Sequence, residues 1–442
     1  MGESDSIVAL SSGRLPAGIA VLRLSGRQCR FALETICGSV PEPGHATLSR
    51  IGDGEGNVLD EGIVLFREGP RSFTGEDVAE FHLHGGKAVV AAVLELLTGL
   101  PGIRQAEAGE FTRRAFLNGR LDLLEAEAMA DLINAETEAQ RRLAVYNKEG
   151  AQSTLYGEWR SRLIQSRALI EAELDFSDEA DVPGSVADRV WPAISDLAAE
   201  IRRHIEAYRM AEIIRDGFDV VIVGPPNSGK SSLLNTLAGR DAAIVSDEPG
   251  TTRDLVELAL DLDGMKVRLT DTAGLREGAD KVEAVGIARA RNRAEQADLV
   301  LQLEACDGPS SFYAGAGPKF VPIGTKVDLL DNAGRQVAKA RFAFLVSSVT
   351  GEGIVELMNF LGSRAASAAG AAGDVLPSRS RHVALLRDAA EALEHAVAAE
   401  HQALELRAEE LRYAAERLGR ISGAVDVEDL LDVVFSQFCI GK

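Results

Sequence analysis

The stretch from Asp219 to Asn235 leaves this chain little freedom. An apolar run, Asp219–Val223, leads into Gly224-Pro225-Pro226-Asn227-Ser228-Gly229-Lys230-Ser231, and Ser232-Leu233-Leu234-Asn235 continues as a helix. A strand, a glycine-bounded loop and a helix in direct succession form the P-loop pattern. The glycines let backbone N–H groups turn inward around phosphate oxygens, and the helix N-terminus adds its positive end. Lys230 is expected to reach the β- and γ-phosphates and Ser231 to bind Mg²⁺, with Asn227, Ser228, Gly229 and Ser232 around them. The surrounding segment alternates strands with helices: Val220–Val223, Val267–Thr270, Leu299–Leu301 and Phe320–Ile323 are the strand runs. That alternation predicts a mainly parallel sheet.

Three further elements follow in a fixed order. In Gly250-Thr251-Thr252-Arg253-Asp254, Thr252 is placed to complete the Mg²⁺ shell. In Asp271-Thr272-Ala273-Gly274 the aspartate ends a strand near the metal, and Gly274 N–H faces the γ-phosphate. In Thr325-Lys326-Val327-Asp328, Asp328 can accept both N1–H and the 2-amino group of guanine, which adenine does not offer. Ser347-Ser348 fits the loop that closes over the base. GTP and GDP are therefore the expected ligands. The guanine motif usually begins with Asn, and here it begins with Thr325, whose shorter side chain can still brace the loop. Where many GTPases place a water-orienting Gln stands Leu275. Another polar group must take that part, and Arg276, Glu277, Asp280 and Glu283 are the candidates.

The rest of the chain divides by texture. Residues 1–118 mix short apolar strand runs (Ile7–Leu10, Gly18–Leu24, Ile63–Phe66, the alternating Val78–His84) with glycine-rich turns, which reads as an α+β domain. Residues 119–214 carry helical spacing, residues 215–364 hold the α/β unit, and residues 365–442 return to helices after the small-residue run Ser367–Gly373. Helical texture on both sides reads as one helical domain interrupted by an inserted α/β domain, with two unrelated helical segments as the alternative. The expected fold is thus multidomain α/β. Four scattered cysteines among 442 residues, without metal-type spacing, argue against a disulfide framework or a zinc ribbon. No apolar run approaches the roughly 20 residues of a membrane helix. The start lacks a basic and an apolar signal region, so a cytoplasmic protein without membrane attachment is expected. The net charge of −21 excludes bulk electrostatic coating of nucleic acid, which needs clustered Lys and Arg.

The run Asp271-Thr272-Ala273-Gly274-Leu275-Arg276-Glu277, with Val282-Glu283 and Gly286-Ile287, resembles the tRNA modification GTPase family called MnmE or TrmE. Further matches are Phe73-Thr74-Gly75-Glu76-Asp77, His84-Gly85-Gly86, Arg114–Gly119, Leu121-Asp122-Leu123, Ala126-Glu127-Ala128 and the terminal Cys439-Ile440-Gly441-Lys442, so the resemblance spans essentially the whole chain. It implies a K⁺-activated GTPase with Asn227 as a K⁺ ligand and Ser246-Asp247-Glu248-Pro249-Gly250-Thr251 as the ion-binding loop. Ser246, Glu248 and Thr251 supply further K⁺ ligands there, and Glu283 is the catalytic carboxylate that positions water. It also implies an N-terminal domain that binds 5-formyltetrahydrofolate through Arg23, Glu80, Arg120 and Lys442. It implies a homodimer formed through that domain and a flavoprotein partner, MnmG (GidA). Together they would form 5-carboxymethylaminomethyl or aminomethyl uridine at the tRNA wobble position, with tRNA contacted mainly through the complex. Two other readings stay open: a ribosome-assembly or regulatory GTPase of the same broad group, and a one-carbon transferase with an accessory nucleotide switch. Cys439 reads either as a nucleophile or as a packed tail residue. His82 and His84 share one strand face and lack an evident third metal ligand.

Overall fold

The computed structural model describes residues 5–54, 56–175, 187–240, 242–244, 257–271, 292–307, 317–370, 375–425, 428–436 and 438–441. The chain divides into two compact units, one of residues 1–130, 148–171 and 411–442, the other of residues 131–147 and 172–410.

The first unit is built on a sheet of order β3-β4-β5-β2-β1-β6. Its strands are β1 (Ser6–Leu10), β2 (Ala17–Ser25), β3 (Ala46–Gly52), β4 (Val58–Arg67), β5 (Val78–Gly85) and β6 (Ile103–Gln105). All neighbours pair antiparallel except β1 with β6. Side chains alternate across a strand, so each strand has an inner and an outer set. Val8, Leu22, Leu24, Ala79, Phe81 and Leu83 form the inner set. They pack on α1 (Cys29–Cys37) and α2 (Lys87–Gly99), with Leu33, Val93 and Leu97 in the same core. Arg23, Glu80 and His82 belong to the other face, where Arg23 pairs in register with Glu80 and Val21 with His82. Near β1 that face is covered by Ala106 and by Phe111 of α3 (Glu110–Leu117), which pack on Ile7 and Ala9.

The helical spacing that starts at Leu121 is not one long helix. It is α4 (Leu123–Ile133), α5 (Glu138–Lys148) and α6 (Ala151–Asp175). The first break occurs where Gln140 Oε1 accepts the N–H groups of Glu136 and Thr137, which caps α5. The second is Gly150, whose φ of 87° is left-handed and stops α5.

In the second unit α7 (Ala187–Glu206) and α8 (Tyr208–Asp216) lead into a sheet of order β13-β12-β11-β7-β10-β9-β8. Its strands are β7 (Phe218–Val223), β8 (Ala243–Ile244), β9 (Glu257–Leu262), β10 (Met265–Asp271), β11 (Leu299–Ala305), β12 (Phe320–Thr325) and β13 (Phe344–Val346). From β13 to β10 every pairing is parallel, and β9 and β8 run antiparallel. The central β7 is buried along its whole length, as an apolar run covered on both faces must be. The helices of this unit include α9 (Lys230–Ala238), α10 (Asn332–Arg341), α11 (Ile354–Ala369) and α12 (Ser380–Ala398). Two more follow along the chain, α13 (Leu404–Ser422) and α14 (Glu428–Phe435). The turn between β9 and β10 is held against α5. Ala139 N–H donates to Gly264 O at 3.0 Å, and Lys266 pairs with Glu136. Gly264 has a φ of 82°, and a side chain there would come within 3.3 Å of Glu138.

Phe81 is fully buried at the centre of the first core. Phe81→Ala is expected to cost about 3–5 kcal/mol of that unit's stability. Denaturant unfolding followed by hydrogen exchange in β2 and β5 checks this, and an unchanged midpoint would contradict the packing described.

Candidate functional site

Parallel pairing puts the ends of β7, β10, β11 and β12 at one edge of the sheet, and the loop after β7 opens there. A Cβ on Gly224 would lie 2.4 Å from Leu303 O on β11, so only glycine lets the loop turn so close to the neighbouring strand. Asn227 takes a left-handed φ of 63°, and its exposed side chain has no partner among the described residues. Gly229, φ 91°, starts α9. Lys230 is buried and arches back over the loop, and its Nζ donates to Gly224 O and Pro225 O at 2.9 Å each. The Ser228 hydroxyl is buried without a hydrogen-bond partner among the described residues. A buried ammonium, an orphan hydroxyl and the helix start beginning at Gly229 together form a cradle for an oxyanion. Ser232 follows on the first turn of α9, and its carbonyl accepts from Thr236 Oγ1 at 2.8 Å.

Ser231 Oγ lies 3.4 Å from Asp271 Oδ2 at the end of β10. Asp271 is 2% exposed. A hydroxyl beside a buried carboxylate is the hard-oxygen donor set that Mg²⁺ takes.

The base end is braced from two sides. Thr325 Oγ1 sits 2.7 Å from Ser228 O and 3.2 Å from Glu304 O, so its one proton is shared between the phosphate loop and β11. The brace expected of Thr325 is therefore present. Gly229 is required by its own left-handed φ of 91°, and it sits in van der Waals contact range of the Thr325 side chain. Lys326 is left-handed, φ 59°, and its Nζ lies 3.8 Å from Asp307. Asp328 Oδ1 accepts from Ser347 Oγ at 2.6 Å, and that hydroxyl accepts the N–H groups of Val349 and Thr350 at 3.2 and 3.1 Å. The carboxylate is thus pinned to the loop after β13. Ser348 O accepts from Thr236 Oγ1 at 3.4 Å. Ser246, Asp247, Glu248, Pro249, Gly250, Thr251, Thr252, Thr272, Ala273, Gly274, Glu283 and Lys442 lie outside the described residues.

A second cluster lies in the first unit. Arg23 Nε donates to Glu80 Oε1 at 2.9 Å, and His82 Nε2 stands 3.7 Å from Glu80 Oε2. The Arg23 guanidinium also lies 5.7 Å from the Phe73 ring centre and 5.8 Å from that of Phe111. Phe73 belongs to a run quoted for the family resemblance, but nothing in the sequence pattern ties it to Arg23, and Phe111 is not singled out at all, because both reach Arg23 from segments distant in the chain. Phe73-Thr74-Gly75-Glu76-Asp77 is a tightly tied loop. Ser25 Oγ lies 2.7 Å from both Thr74 Oγ1 and Glu76 Oε2, and Arg114 Nη1 holds Glu76 at 3.1 Å. Arg120 lays its stem along this loop, 3.2 Å from where a Gly75 Cβ would be. Ahead of Lys442, Gly441 O accepts from Ser11 Oγ at 2.8 Å, and Ile440 bridges to Ala108. Cys439 is exposed. His84 and Asp60 share two contacts of 2.8 Å, backbone N–H to Oδ2 and Nδ1 to Oδ1. Burial would raise the Asp60 carboxyl, but His84's hydrogen bonds outweigh that and hold it below the usual range.

Among the described residues no helix is long and apolar enough to cross a membrane. Residues 6–120 match the family model of the GTP-binding protein TrmE N-terminus, and residues 123–439 match that of the MnmE helical domain. The chain is 61% identical to the tRNA modification GTPase MnmE of Mesorhizobium japonicum, with 100% of both chains covered. It is 56% identical to that of Chelativorans sp. strain BNC1 and 55% to that of Brucella canis, in each case over 99% of this chain and 98% of the relative. A P-loop cradle braced to a guanine-type loop, joined to these full-length matches, places the chain in the tRNA modification GTPase MnmE family.

Proposed function

We propose that this chain hydrolyses GTP and thereby serves modification of the tRNA wobble uridine. The observation that carries the nucleotide reading is the shared Thr325 proton, which ties the phosphate cradle to the loop presenting Asp328. Lys230 would exchange its two carbonyl partners for the β- and γ-phosphate oxygens. Ser231 and Asp271 are the described residues fit to hold Mg²⁺, with Thr252 as a further ligand. Asp328 accepts the donor edge of guanine. The same carboxylate facing adenine would be left desolvated and unpaired.

The finer mechanism follows the family. K⁺ bound by Asn227, with Ser246, Glu248 and Thr251, would offset negative charge that develops during phosphoryl transfer. The unpartnered, left-handed Asn227 is consistent with that role. Glu283 would position the attacking water in place of Leu275. In the first unit, Glu80 Oε2, Arg23, Arg120 and Lys442 would hold a tetrahydrofolate such as 5-formyltetrahydrofolate. The Glu80 carboxylate suits the amino edge of a pterin and the cations suit its acidic tail. Homodimerisation is favoured by the outer sheet face, where Leu48, Ile63, His82 and Val21 stand opposite one another across β3, β4, β5 and β2. Leu48 there is 68% exposed and Ile63 45%. The flavoprotein MnmG would be the partner that forms 5-carboxymethylaminomethyl or aminomethyl uridine, in the cytoplasm. In domain terms, 1–118 binds folate and dimerises, and 215–364 is inserted into a helical domain of 119–214 and 365–442. The bidentate Arg202–Glu394 pair between α7 and α12 supports the meeting of the two helical parts.

Three outcomes are expected. GTP turnover should be at least about tenfold faster in K⁺ than in Na⁺, a barrier difference of about 1.4 kcal/mol. Equal rates would remove the potassium reading. Asp328→Asn should weaken GDP binding at least about a hundredfold and favour xanthosine diphosphate, whose 2-carbonyl accepts from the new amide. Thr325→Val keeps the shape but strips two carbonyls of their donor. It should weaken GDP by about 1–2 kcal/mol, with Thr325→Asn close to the parent in a fluorescent-nucleotide titration.

A further inference from the structure

The chain enters the nucleotide-binding sheet through α8 and leaves it through the stretch before α12. α8 packs on the sheet through Ile213, in the same core as Leu262 and Met265. Gly217 then turns the chain straight into β7. Its φ is 106°, and a Cβ there would lie 3.1 Å from the Arg268 stem. No slack separates helix from strand, so α8 follows the sheet. Arg215, half-buried in the last turn of α8, ties this entry to two other segments. Its carbonyl is one of those that a helix end leaves without an internal partner, and it accepts from Gln140 Nε2 of α5 at 2.7 Å. Its Nε and Nη2 donate to Asp216 Oδ1 and Oδ2 at 2.8 and 2.7 Å. Its Nη1 donates to Ser378 O in the exit stretch, and the next residue, Arg379, pairs with Asp131.

We propose that Arg215 is a positioning residue that carries a change of nucleotide state from the sheet to the exit stretch through its guanidinium and to α5 through its carbonyl, an assignment that rests on the proposed use of GTP hydrolysis in tRNA modification. The residue types are specific to this task. A planar guanidinium can occupy both Asp216 oxygens and still keep Nη1 for Ser378 O, which a single ammonium cannot do. Burial would lower the Arg215 pKa, but the Asp216 carboxylate outweighs that and holds the side chain charged. Gln140 Oε1 accepts the N–H groups of Glu136 and Thr137 at 2.7 and 3.1 Å, so the same amide caps α5 and donates to α8. A carboxylate would cap as well but would bring no donor. Residues 131–147, which include α5, are bracketed in sequence by residues of the first unit, so a displacement of α5 acts on two chain connections at once.

Hydrogen exchange of the full-length protein tests this, read with GDP alone and with GDP plus aluminium fluoride in K⁺. In the parent, the change of nucleotide should alter exchange at residues 375–385 and in the first turn of α5 by at least about tenfold. Arg215→Lys should abolish the response at 375–385, while GDP affinity and the α5 response stay at the parent values. Gln140→Glu keeps the cap and loses only the donor to Arg215 O. It should cut the α5 response several-fold, the Ala139–Gly264 bond remaining in place. In cells carrying only Arg215→Lys, wobble uridine modification should fall at least about tenfold although the purified variant turns over GTP as the parent does. A parent without the exchange response, an Arg215→Lys protein that keeps it, or full modification in Arg215→Lys cells where cells lacking the protein lose it, overturns the proposal. Unchanged wobble uridines in cells lacking the protein would remove the proposed function instead, and the exchange result would still decide the role of Arg215.

Discussion

The parallel pairing of β7 with β10 on one side and β11 on the other fixes the geometry of the nucleotide site. It brings Asp271 level with Ile222 and, through β12, Thr325 beside Ala305. The loop after Val223 thereby opens between a carboxylate for the metal and a hydroxyl for the base loop. Antiparallel pairing would send one of these side chains to the far edge of the sheet. The register is marked by Asp219, buried and held by Arg293 Nη2 at 3.1 Å, because a one-residue slip would turn its carboxylate into the apolar core on the opposite face.

Much of this was legible in the sequence, and for a physical reason. A phosphate cradle needs glycines, a lysine and a hydroxyl at fixed spacing within one short stretch, so Gly224 to Ser231 announces itself. The role of Thr325 as a brace was also readable, because a hydroxyl can donate to a carbonyl as an amide does. Its partner Glu304 O was not readable, since a backbone atom on a neighbouring strand leaves no mark in the residue pattern. The sheet order was visible only as alternation. The strands β3, β8 and β9 gave weak signals, being short or lying at an edge with mixed burial. The continuous apolar spacing after Leu121 masked two breaks that the residue types themselves mark, Thr137-x-x-Gln140 with its capping-box spacing and Gly150 as a left-handed stop.

The first unit shows the opposite balance. Glu80, His82 and Arg120 have no motif that explains them from composition, and only the family resemblance singled out two of the three. The structure gives them surroundings that spacing could not: aromatic rings beside Arg23, a loop fastened through Ser25 and Arg114, and a tail held at Ser11. Long-range contacts of this kind depend on tertiary closure, and no local rule encodes them. The cavity beside Arg120 belongs to the same category, assembled from segments far apart in the chain.

The grip of α5 on the β9–β10 turn has a mechanical consequence. β10 runs from that turn to Asp271 as a single extended rod of about 20 Å. A hydrogen-bonded strand neither stretches nor compresses appreciably, so a shift of its metal-facing end cannot be absorbed along the way. It must emerge at Gly264 as a pull or push on the start of α5. Chemistry at one end of the rod is thereby geared to helix position at the other.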